Sequence, residues 1–413
     1  MAERPARLRE AHAHVYAHGR AMRMVQLAGC RSALEMLDLI RDGVRAQRGA
    51  VLAHGARPEA WDPPGWPSLD QLDAVSGGAP VAAWCFDYHA LVASTAALEL
   101  AGFRSDTPDT PNGRIGRDDR GRLTGVLYES AAGIAWDALE PREVGIGDLT
   151  EAMIALHAAG FAEVHDLKSQ VDLGSAMRGT GLNQATWVLY PLVEDLPRLI
   201  ESRDEWSTDA IRLGGGKIFV DGTLNSRTAW MLHPFADGHA EHPSGMRLMS
   251  DAHIDDAIRQ CAAHGLQLAA HAIGDAAVRA VLDATERVRP PRGAVRIEHA
   301  ELIDAADVPR FADLGVLASV QPCHLLYDIE ALRRACPDRL DRVLPLRELI
   351  DAGLAPGREL LFGSDTPIVR PDPEDSILAA TRRARADMAA TEAIAPAQAI
   401  SEGEAWGCFD ADA

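Results

Sequence analysis

Three histidines lie close together near the start of the chain, in the segment REAHAHVYAHG at positions 9–19. His12 and His14 are two residues apart, and side chains with that spacing on a β-strand point to the same face. If the segment is a strand, both imidazoles can bind one metal ion. The pair alone is weak evidence, because the chain has 15 histidines among 413 residues. His18 is predicted to lie on the surface.

Further side chains that bind metals stand in later strand-like segments. Lys217 lies in GGGKIFVDG, His271 in AAHAIGD, His299 in IEHAE and Asp365 in GSDTP. Taken singly, the histidines fit core residues bonded to backbone, and the aspartate fits a turn. A lysine that faces a core is costly unless it is neutral or paired. Taken together with the first histidine pair, these residues are suited to zinc or another divalent ion.

The segments that would position these residues alternate with helical patterns. SDAHIDDAIRQCAAHG (250–265), for example, begins with a Ser-Asp cap and ends in a glycine. Strand–helix alternation predicts a parallel sheet, and eight repeats predict an α/β fold of the (β/α)₈ TIM-barrel type. In such a barrel the strand ends meet at one mouth, where the candidate ligands would converge. The eight predicted strands are 7–15, 161–166, 185–193, 216–222, 266–275, 295–302, 315–322 and 359–367.

Two segments interrupt this rhythm. Residues 50–140, approximately, are rich in proline, glycine and tryptophan, and are predicted to form an insertion subdomain after the first strand and helix. Residues 223–250, approximately, are predicted to be an active-site loop. In a barrel such insertions lie over the catalytic face. The whole chain, 1–413, is therefore interpreted as one barrel domain with a long insertion after its first strand.

Composition excludes several classes of partner. The formal net charge of −20 argues against nucleic acid and against an anionic membrane surface. No run of eighteen apolar residues predicts a membrane span, and the polar start MAERPARLRE does not resemble a signal peptide. The six cysteines have no CxxC spacing, which favours free thiols and a cytoplasmic location.

Several motifs, in this order along the chain, are similar to those of a known family. The chain resembles the amidohydrolase superfamily, in particular the amidohydrolase family 3 group of metal-dependent hydrolases typified by N-substituted formamide deformylase. The resemblance covers nearly the whole chain. The motifs are HAH (12–14), PVAAWCFDYHALVASTAAL (80–98), GRLTGVLYESA (121–131), KIFVDGTLNSRTA (217–229), HAIGDAAV (271–278), RIEHAEL (296–302), VQPCH (320–324) and FGSDTPI (362–368).

The resemblance implies a role for each candidate ligand. Two histidines would bind a first metal, the lysine would react with carbon dioxide to form a carbamate that bridges two metals, and two further histidines would bind the second. The aspartate would contact the first metal and transfer protons, so that Asp365 and Lys217 are the implied catalytic residues. The implied ligands are His12, His14, Lys217, His271, His299 and Asp365. The implied cofactor is Zn²⁺, as one or two ions with two favoured, or another divalent metal.

The same motifs contain candidate substrate-binding residues: His89, Glu129, Asp221, Arg227, Gln321 and His324. The resemblance further implies a small-molecule substrate and a homodimer. One departure concerns the β-sandwich that family members usually build from segments before the first strand and after the last helix. Because HAH begins at residue 12, this sandwich is expected to be reduced or absent.

The predicted reaction is hydrolysis of a non-peptide C–N bond, of the amide or formamide type. Metal-activated hydroxide would attack, with Asp365 as general base and then general acid. Two alternatives stay open, a deaminase of a heterocycle with one metal ion and an inactive barrel that acts as a binding protein. A serine hydrolase is disfavoured because no GxSxG motif occurs.

Overall fold

The computed structural model describes residues 4–46, 49–139 and 145–413. By its internal contacts the chain divides into two compact units. The first unit comprises Met1–Gly19 and Val144–Ala413, and the second comprises Arg20–Glu143. The second unit thus begins at Arg20, whereas the predicted insertion begins near residue 50. The organisation as one domain with an insertion stays a prediction.

The strands are mostly short and occur in both units. In chain order they are β1 (Leu8–Ala13), β2 (Val25–Gln26), β3 (Val51–Ala56), β4 (Val81–Cys85), β5 (Ala90–Ala93), β6 (Gly113–Arg117), β7 (Leu123–Glu129), β8 (Phe161–Leu167), β9 (Thr186–Tyr190), β10 (Ile211–Leu213), β11 (Gly215–Phe219), β12 (Gln267–Ala272), β13 (Val295–His299), β14 (Leu317–Val320) and β15 (Leu360–Phe362).

The α-helices follow the strands in both units. They are α1 (Val15–Ala21), α2 (Ala33–Ala46), α3 (Leu69–Ser76), α4 (Thr95–Leu100), α5 (Ser130–Asp137), α6 (Ile146–Ala158), α7 (Leu173–Thr180), α8 (Leu196–Glu201), α9 (Arg203–Trp206), α10 (Asp251–Ala263), α11 (Asp275–Val288), α12 (Val308–Leu314), α13 (Leu325–Ala335), α14 (Leu346–Asp351), α15 (Pro373–Arg382) and α16 (Glu402–Gly407). Short 3₁₀ helices are Pro58–Ala60, Pro322–His324, Leu340–Arg342, Ala390–Glu392 and Pro396–Gln398. As predicted, Ser250 caps α10 by accepting a hydrogen bond from the backbone N–H of His253.

The first unit contains two parallel sheets. One has the strand order β1-β8-β9-β10 and the other has the order β11-β12-β13-β14-β15. Isolated parallel bridges join Ala13 to Thr366, and Leu192 to Lys217. The predicted α/β class with parallel strands is therefore confirmed. The continuous eight-stranded barrel stays a prediction, because the hydrogen-bonded ladders form two sheets.

Side chains alternate between two environments along the strands of the second of these sheets. Ile218, Leu268, Ile297 and Ala318 belong to the main apolar core of the first unit, which the helices cover. Their neighbours Lys217, Glu298 and Ser319 face the opposite way and are also buried. Alternation along a strand puts polar groups on one face and apolar groups on the other. This polar buried face carries the candidate site.

The second unit is built on a six-stranded mixed sheet with the order β2-β3-β4-β5-β7-β6. The pairs β2–β3 and β3–β4 are parallel, and the other pairs are antiparallel. One apolar cluster joins α2 and α3 to the sheet, and a second cluster joins α4 and α5 to it. The region predicted as a Pro- and Gly-rich insertion therefore has its own cores.

Three expectations about the chain can be compared with the structure. All six cysteines are buried and free, which confirms the expectation of no disulfide. Among the residues described, no helix combines the length and the apolar character that crossing a bilayer requires. Residues 223–250, predicted as a loop, contain neither helix nor strand.

Candidate metal centre

Three buried donors from distant parts of the sequence lie together in the first unit. His12 is on β1, His299 ends β13, and Asp365 follows β15. One ligand atom of each lies within 4.8 Å of the others. His12 Nε2 is 3.3 Å from Asp365 Oδ1, and His299 Nδ1 is 3.9 Å from Asp365 Oδ2. Two imidazoles and a carboxylate are a donor set that suits a divalent ion such as zinc.

The second histidine of the HAH motif joins this group. His14 Nε2 is 3.0 Å from Asp365 Oδ1. Its other ring nitrogen, Nδ1, is 2.6 Å from the carbonyl oxygen of Leu167, to which it donates a hydrogen bond. Nε2 of His14 is therefore the nitrogen left to bind a metal. The HAH motif brings both imidazoles to one carboxylate, as the strand spacing predicts.

Buried polar atoms without hydrogen-bond partners converge here. Asp365 Oδ1 has two imidazole nitrogens within 3.3 Å but no contact of hydrogen-bond geometry. Lys217 Nζ, His299 Nδ1 and His324 Nε2 are likewise buried without a hydrogen-bond partner among the residues described. Such atoms are costly in a protein interior. A divalent cation would satisfy several of them at once, so these residues fit a metal.

Lys217 lies on the polar face of β11 with 1% of its surface exposed. Its Nζ is 5.0 Å from the centre of the Phe219 ring. Burial lowers the pKa of Lys217 to about 8, although the nearby Glu298 and Asp365 oppose this shift. The amine is therefore closer to neutrality than an ordinary lysine. A neutral amine is the form that acts as a nucleophile.

His271 lies beside the group but is oriented differently. Its ring centroid is 4.5 Å from that of His299. Its Nε2 is 3.1 Å from the carbonyl oxygen of Gly222 and 3.7 Å from Asp221 Oδ1. The three-residue donor groups found among the described residues do not include His271. Its predicted role as a ligand stays a prediction.

The backbone is left-handed at two of the three clustered donors. The φ angle is 71° at His299, 44° at Ala300 and 60° at Asp365. Strict alternation along β13 would put Glu298 and His299 on opposite faces, yet both side chains contact the ring of His12. The positive φ angles turn His299 toward the site. Backbone of this kind costs energy at non-glycine residues and occurs preferentially at functional sites.

The charge states at the site suit metal binding. Burial lowers the pKa of His12 to about 4 and holds the pKa of His299 well below its ordinary value, so both rings are neutral at pH 7. Burial would raise the pKa of Asp365, but His12, His14 and His324 hold it well below its usual range. The site thus presents the neutral imidazoles of His12 and His299 and an ionised carboxylate, which are the forms that bind metals.

Comparison with known sequences identifies the family. A sequence model described as "Amidohydrolase family" matches residues 8–406. The chain belongs to the amidohydrolase family. It is therefore a hydrolase that acts on C–N bonds, and the resemblance inferred from the motifs is confirmed.

Curated relatives of this amidohydrolase differ widely in source. Protein LONG AFTER FAR-RED 3 of Arabidopsis thaliana is 28% identical over 91% of this chain and 67% of its own length. The putative amidohydrolase YtcJ of Bacillus subtilis is 28% identical over 91% and 72%. N-substituted formamide deformylase of Arthrobacter pascens is 27% identical over 82% and 65%. The chain thus spans about two thirds of the length of the relatives it matches.

Solved structures support the fold. The crystal structure of an uncharacterised metal-dependent hydrolase from Pyrococcus horikoshii matches with a TM-score of 0.74 and 26% identity. The match covers 97% of this chain and 78% of that one. A similar hydrolase from Pyrococcus furiosus matches with a TM-score of 0.70 and 25% identity. Both of these structural relatives are described as metal-dependent hydrolases.

The predicted substrate-binding residues of the amidohydrolase fall into separate groups. Gln321 Nε2 is 3.3 Å from His12 Nδ1, and His324 Nε2 is 3.9 Å from Asp365 Oδ2, so both lie at the metal centre. Asp221 is fully buried and accepts hydrogen bonds from the backbone N–H groups of Trp230, Ile273 and Gly274. Through the bonds to Ile273 and Gly274, Asp221 holds the loop that follows β12 in place. Its substrate contact stays a prediction.

The three remaining predicted residues of this set form ion pairs. Arg227 binds Asp237 with two hydrogen bonds of 2.7 and 2.6 Å and is itself buried. In the second unit, His89 Nδ1 is 2.8 Å from Glu129 Oε2. Roles of Arg227, His89 and Glu129 in substrate binding stay predictions. His18, predicted to lie on the surface, is half-buried and lies 2.9 Å from Thr366 Oγ1.

Four charged residues of the site were not anticipated individually. Glu10 accepts hydrogen bonds from the backbone N–H groups of His12 and Ser364, and burial raises its pKa to about 8. The others are Arg296, Glu298 and Glu301, which all lie within the RIEHAEL motif. In the sequence, these residues could have been noticed as charged residues within strand-like segments that are otherwise typical of a buried core.

Proposed function

We propose that this amidohydrolase uses a bound divalent metal to hydrolyse an amide or formamide bond of a small, non-peptide substrate. The observation that carries the proposal is the convergence of His12, His299 and Asp365, with buried polar atoms that a divalent cation would satisfy. These residues come from three strands that are far apart in sequence. The 27% identity to a formamide deformylase supports this class of bond.

We further propose that the strands of the first unit form one closed barrel. Two bridges support closure: Ala13 on β1 pairs with Thr366 after β15, and Leu192 after β9 pairs with Lys217 on β11. Closure would include β1, β8, β9 and β11 to β15, which are eight parallel strands. The metal centre would then lie at the carboxyl ends of these strands, where barrel enzymes carry their active sites.

The metal ligands divide into two sets. His12, His14 and Asp365 would hold one zinc ion, and His271, His299 and a carbamate of Lys217 would hold a second. The buried Lys217 amine supports the carbamate, because it has a lowered pKa and no hydrogen-bond partner among the described residues. A divalent ion in this site would supply Lewis acidity toward water and toward the substrate carbonyl.

The chain's own residues would move the protons. Asp365 is ionised and faces the imidazoles, so it would accept the proton of the attacking water and return it to the leaving nitrogen. His324 has a pKa raised to about 9: burial opposes this shift, but Glu301, at 3.6 Å, and Asp365 outweigh it. Its protonated Nε2 would donate a hydrogen bond to the oxygen on which negative charge develops.

One observation favours a second candidate. His271 Nε2 lies against the carbonyl oxygen of Gly222, and the donor groups found among the described residues do not include His271. A site without this ligand would hold a single ion, as expected for a deaminase with one metal. Lys217 favours two ions. Its buried amine has no hydrogen-bond partner among the described residues, and a site with one ion would leave it without one.

Metal content separates these candidates. Elemental mass spectrometry on protein purified without chelator should find about two zinc-like ions per chain. Lys217→Ala should lower this number to about one, whereas Lys168→Ala should leave it unchanged. Lys168 is the matched control because it is exposed and its Nζ is 5.9 Å from the same Phe219 ring.

The same preparations would then be assayed on N-formyl and N-acyl amines, and hydrolysis should depend on Lys217. One ion that is insensitive to Lys217→Ala would instead support the deaminase. Absence of metal even after reconstitution would contradict metal-dependent hydrolysis.

A further inference from the structure

A buried arginine lies directly beneath the metal centre. Arg296 on β13 has no exposed surface. Its Nε donates to Glu298 Oε1 at 2.5 Å, and its Nη2 is 3.3 Å from Glu298 Oε2. Nη2 also donates to the carbonyl oxygen of Ala11 at 2.6 Å and to Ser319 Oγ at 2.8 Å. These contacts tie together β13, β1 and β14. Arg296 therefore has one defined position.

Arg296 in turn fixes the orientation of the Glu298 carboxylate. Both residues lie on the polar face of β13, two positions apart, and neither is exposed. Arginine only donates hydrogen bonds, so both carboxylate oxygens of Glu298 turn toward it. Oε2 can accept a further hydrogen bond on the side that faces β1. There it meets His12, whose Nδ1 is 2.7 Å away.

This contact determines which nitrogen of His12 carries the proton. A neutral imidazole has one N–H and one acceptor nitrogen. Because Glu298 is ion-paired with Arg296 and its Oε2 faces His12 as an acceptor, Nδ1 of His12 is the donor. Nε2 is then the unprotonated nitrogen, and it is the one that lies 3.3 Å from Asp365 Oδ1. The carboxylate thus presents the lone pair of His12 to the metal centre.

The neighbouring ligand is oriented by different means. His14 donates from Nδ1 to the backbone carbonyl of Leu167, an acceptor that no side-chain substitution removes. His12 instead depends on the side chain of Glu298. Nδ1 also lies 3.3 Å from Gln321 Nε2, the donor end of that amide, so in this arrangement Glu298 supplies the acceptor.

We propose that Glu298, locked in place by Arg296, is a positioning residue that sets the tautomer of His12 and so creates a ligand for the metal. The consequence for metal affinity rests on the proposed function, whereas the tautomer itself does not. Groups that orient a metal-binding histidine affect metal affinity strongly, by about 10- to 100-fold.

Glu298→Gln is the sharpest test because it changes charge but hardly changes shape. Arg296 would hold the oxygen of the introduced amide, which leaves the NH₂ group of that amide facing His12 Nδ1. Nδ1 would then have to accept, and the proton would move to Nε2. Nitrogen-15 NMR of histidine-labelled, metal-free protein reads the tautomer directly, with the His12 signal assigned from its loss in His12→Gln.

In the wild type we expect the proton of His12 on Nδ1, and in Glu298→Gln on Nε2. The zinc dissociation constant of Glu298→Gln, from competition with a chromophoric chelator, should rise by about 10- to 100-fold. Ser319→Ala is the matched control, because Ser319 contacts Arg296 but not His12. It should change neither the tautomer nor the affinity.

The outcomes distinguish this inference from the proposed function. A wild-type His12 protonated on Nε2 would overturn the inference, and this measurement holds even if Glu298→Gln does not fold. An unchanged zinc affinity in a folded Glu298→Gln protein would also overturn it. If the wild type has the expected tautomer but binds no divalent metal, the proposed function fails while the orienting role of Glu298 stands.

Discussion

Asp365 combines an unusual backbone with a demanding side-chain environment. Its φ angle of 60° lies in the left-handed region, which asparagine tolerates better than most residues. Asp365→Asn should therefore preserve the fold and keep one oxygen toward His12 and His14. It would remove the only proposed proton acceptor for the attacking water.

For Asp365→Asn we expect kcat to fall by about 10³-fold, as for loss of a general acid–base residue. The metal content should fall by much less than the activity. Both are measured on one preparation, by steady-state hydrolysis and by elemental mass spectrometry. Full activity in the asparagine variant would exclude Asp365 as the proton carrier.

The sequence indicated which side chains lie close together better than it indicated their surroundings, and their role as metal donors stays a prediction. His12, His14, His299 and Asp365 stand at strand ends, and the convergence of parallel strand ends is a property of the fold class. The orientation of His271 toward Gly222 was not predictable, because it depends on where the following loop places a carbonyl. Nor was the buried Arg296, since its stability depends on a partner that only the folded structure brings near it.

At the level of elements, β11 must approach β12 closely to place Lys217. Gly215 pairs with Gln267 in this ladder. A Cβ atom on Gly215 would lie 1.8 Å from the carbonyl oxygen of Gln267, and backbone cannot yield as a flexible side chain can. The two strands would have to separate two residues before Lys217.

Gly215→Ala should therefore destabilise the protein by about 3 kcal/mol, in the range found for overpacked sites. Gly179→Ala is the control: Gly179 lies in α7, and its Cβ would meet nothing within 4 Å. This control should raise stability by about 0.5 kcal/mol, since alanine favours helix more than glycine does. Urea unfolding measures both, and equal stabilities for the two variants would contradict the close approach of the strands.

The strands of the two units differed in how well the sequence revealed them. In the first unit, the predicted segment 266–275 contains β12, and 185–193 contains β9, because apolar runs bounded by helical patterns are typical of buried parallel strands. In the second unit, β3, β4 and β5 were missed. They are rich in alanine, which has a low strand propensity, and tertiary packing rather than propensity stabilises them.

For the molecule as a whole, the two units have different polar interiors. The first unit buries a network of histidines, carboxylates and arginine around the candidate metal centre. In the second unit, His54 on β3 is a buried histidine whose pKa is lowered by burial. Metal binding would thus act on the first unit, and within the second unit mild acid should act through His54.

His54 is 8% exposed, and its Nε2 is 2.9 Å from Gln26 Oε1. Burial lowers its pKa from 6.5 to about 4. The unfolded chain then binds a proton between these values that the folded unit does not. Stability is fully present above pH 6.5 and is lost as the pH falls from about 6.5 to about 4.

Between pH 7.5 and pH 5 this histidine should cost the second unit about 2 kcal/mol of stability. His54→Gln removes the titrating group. Lowering the pH from 7.5 to 5 should therefore destabilise the wild type by about 2 kcal/mol more than it destabilises the variant. Hydrogen exchange at the amides of β3 and β4 reports on this unit specifically, and β12 and β13 serve as the internal reference. If the difference in stability between wild type and variant does not change with pH, His54 is accessible to protons in the folded protein.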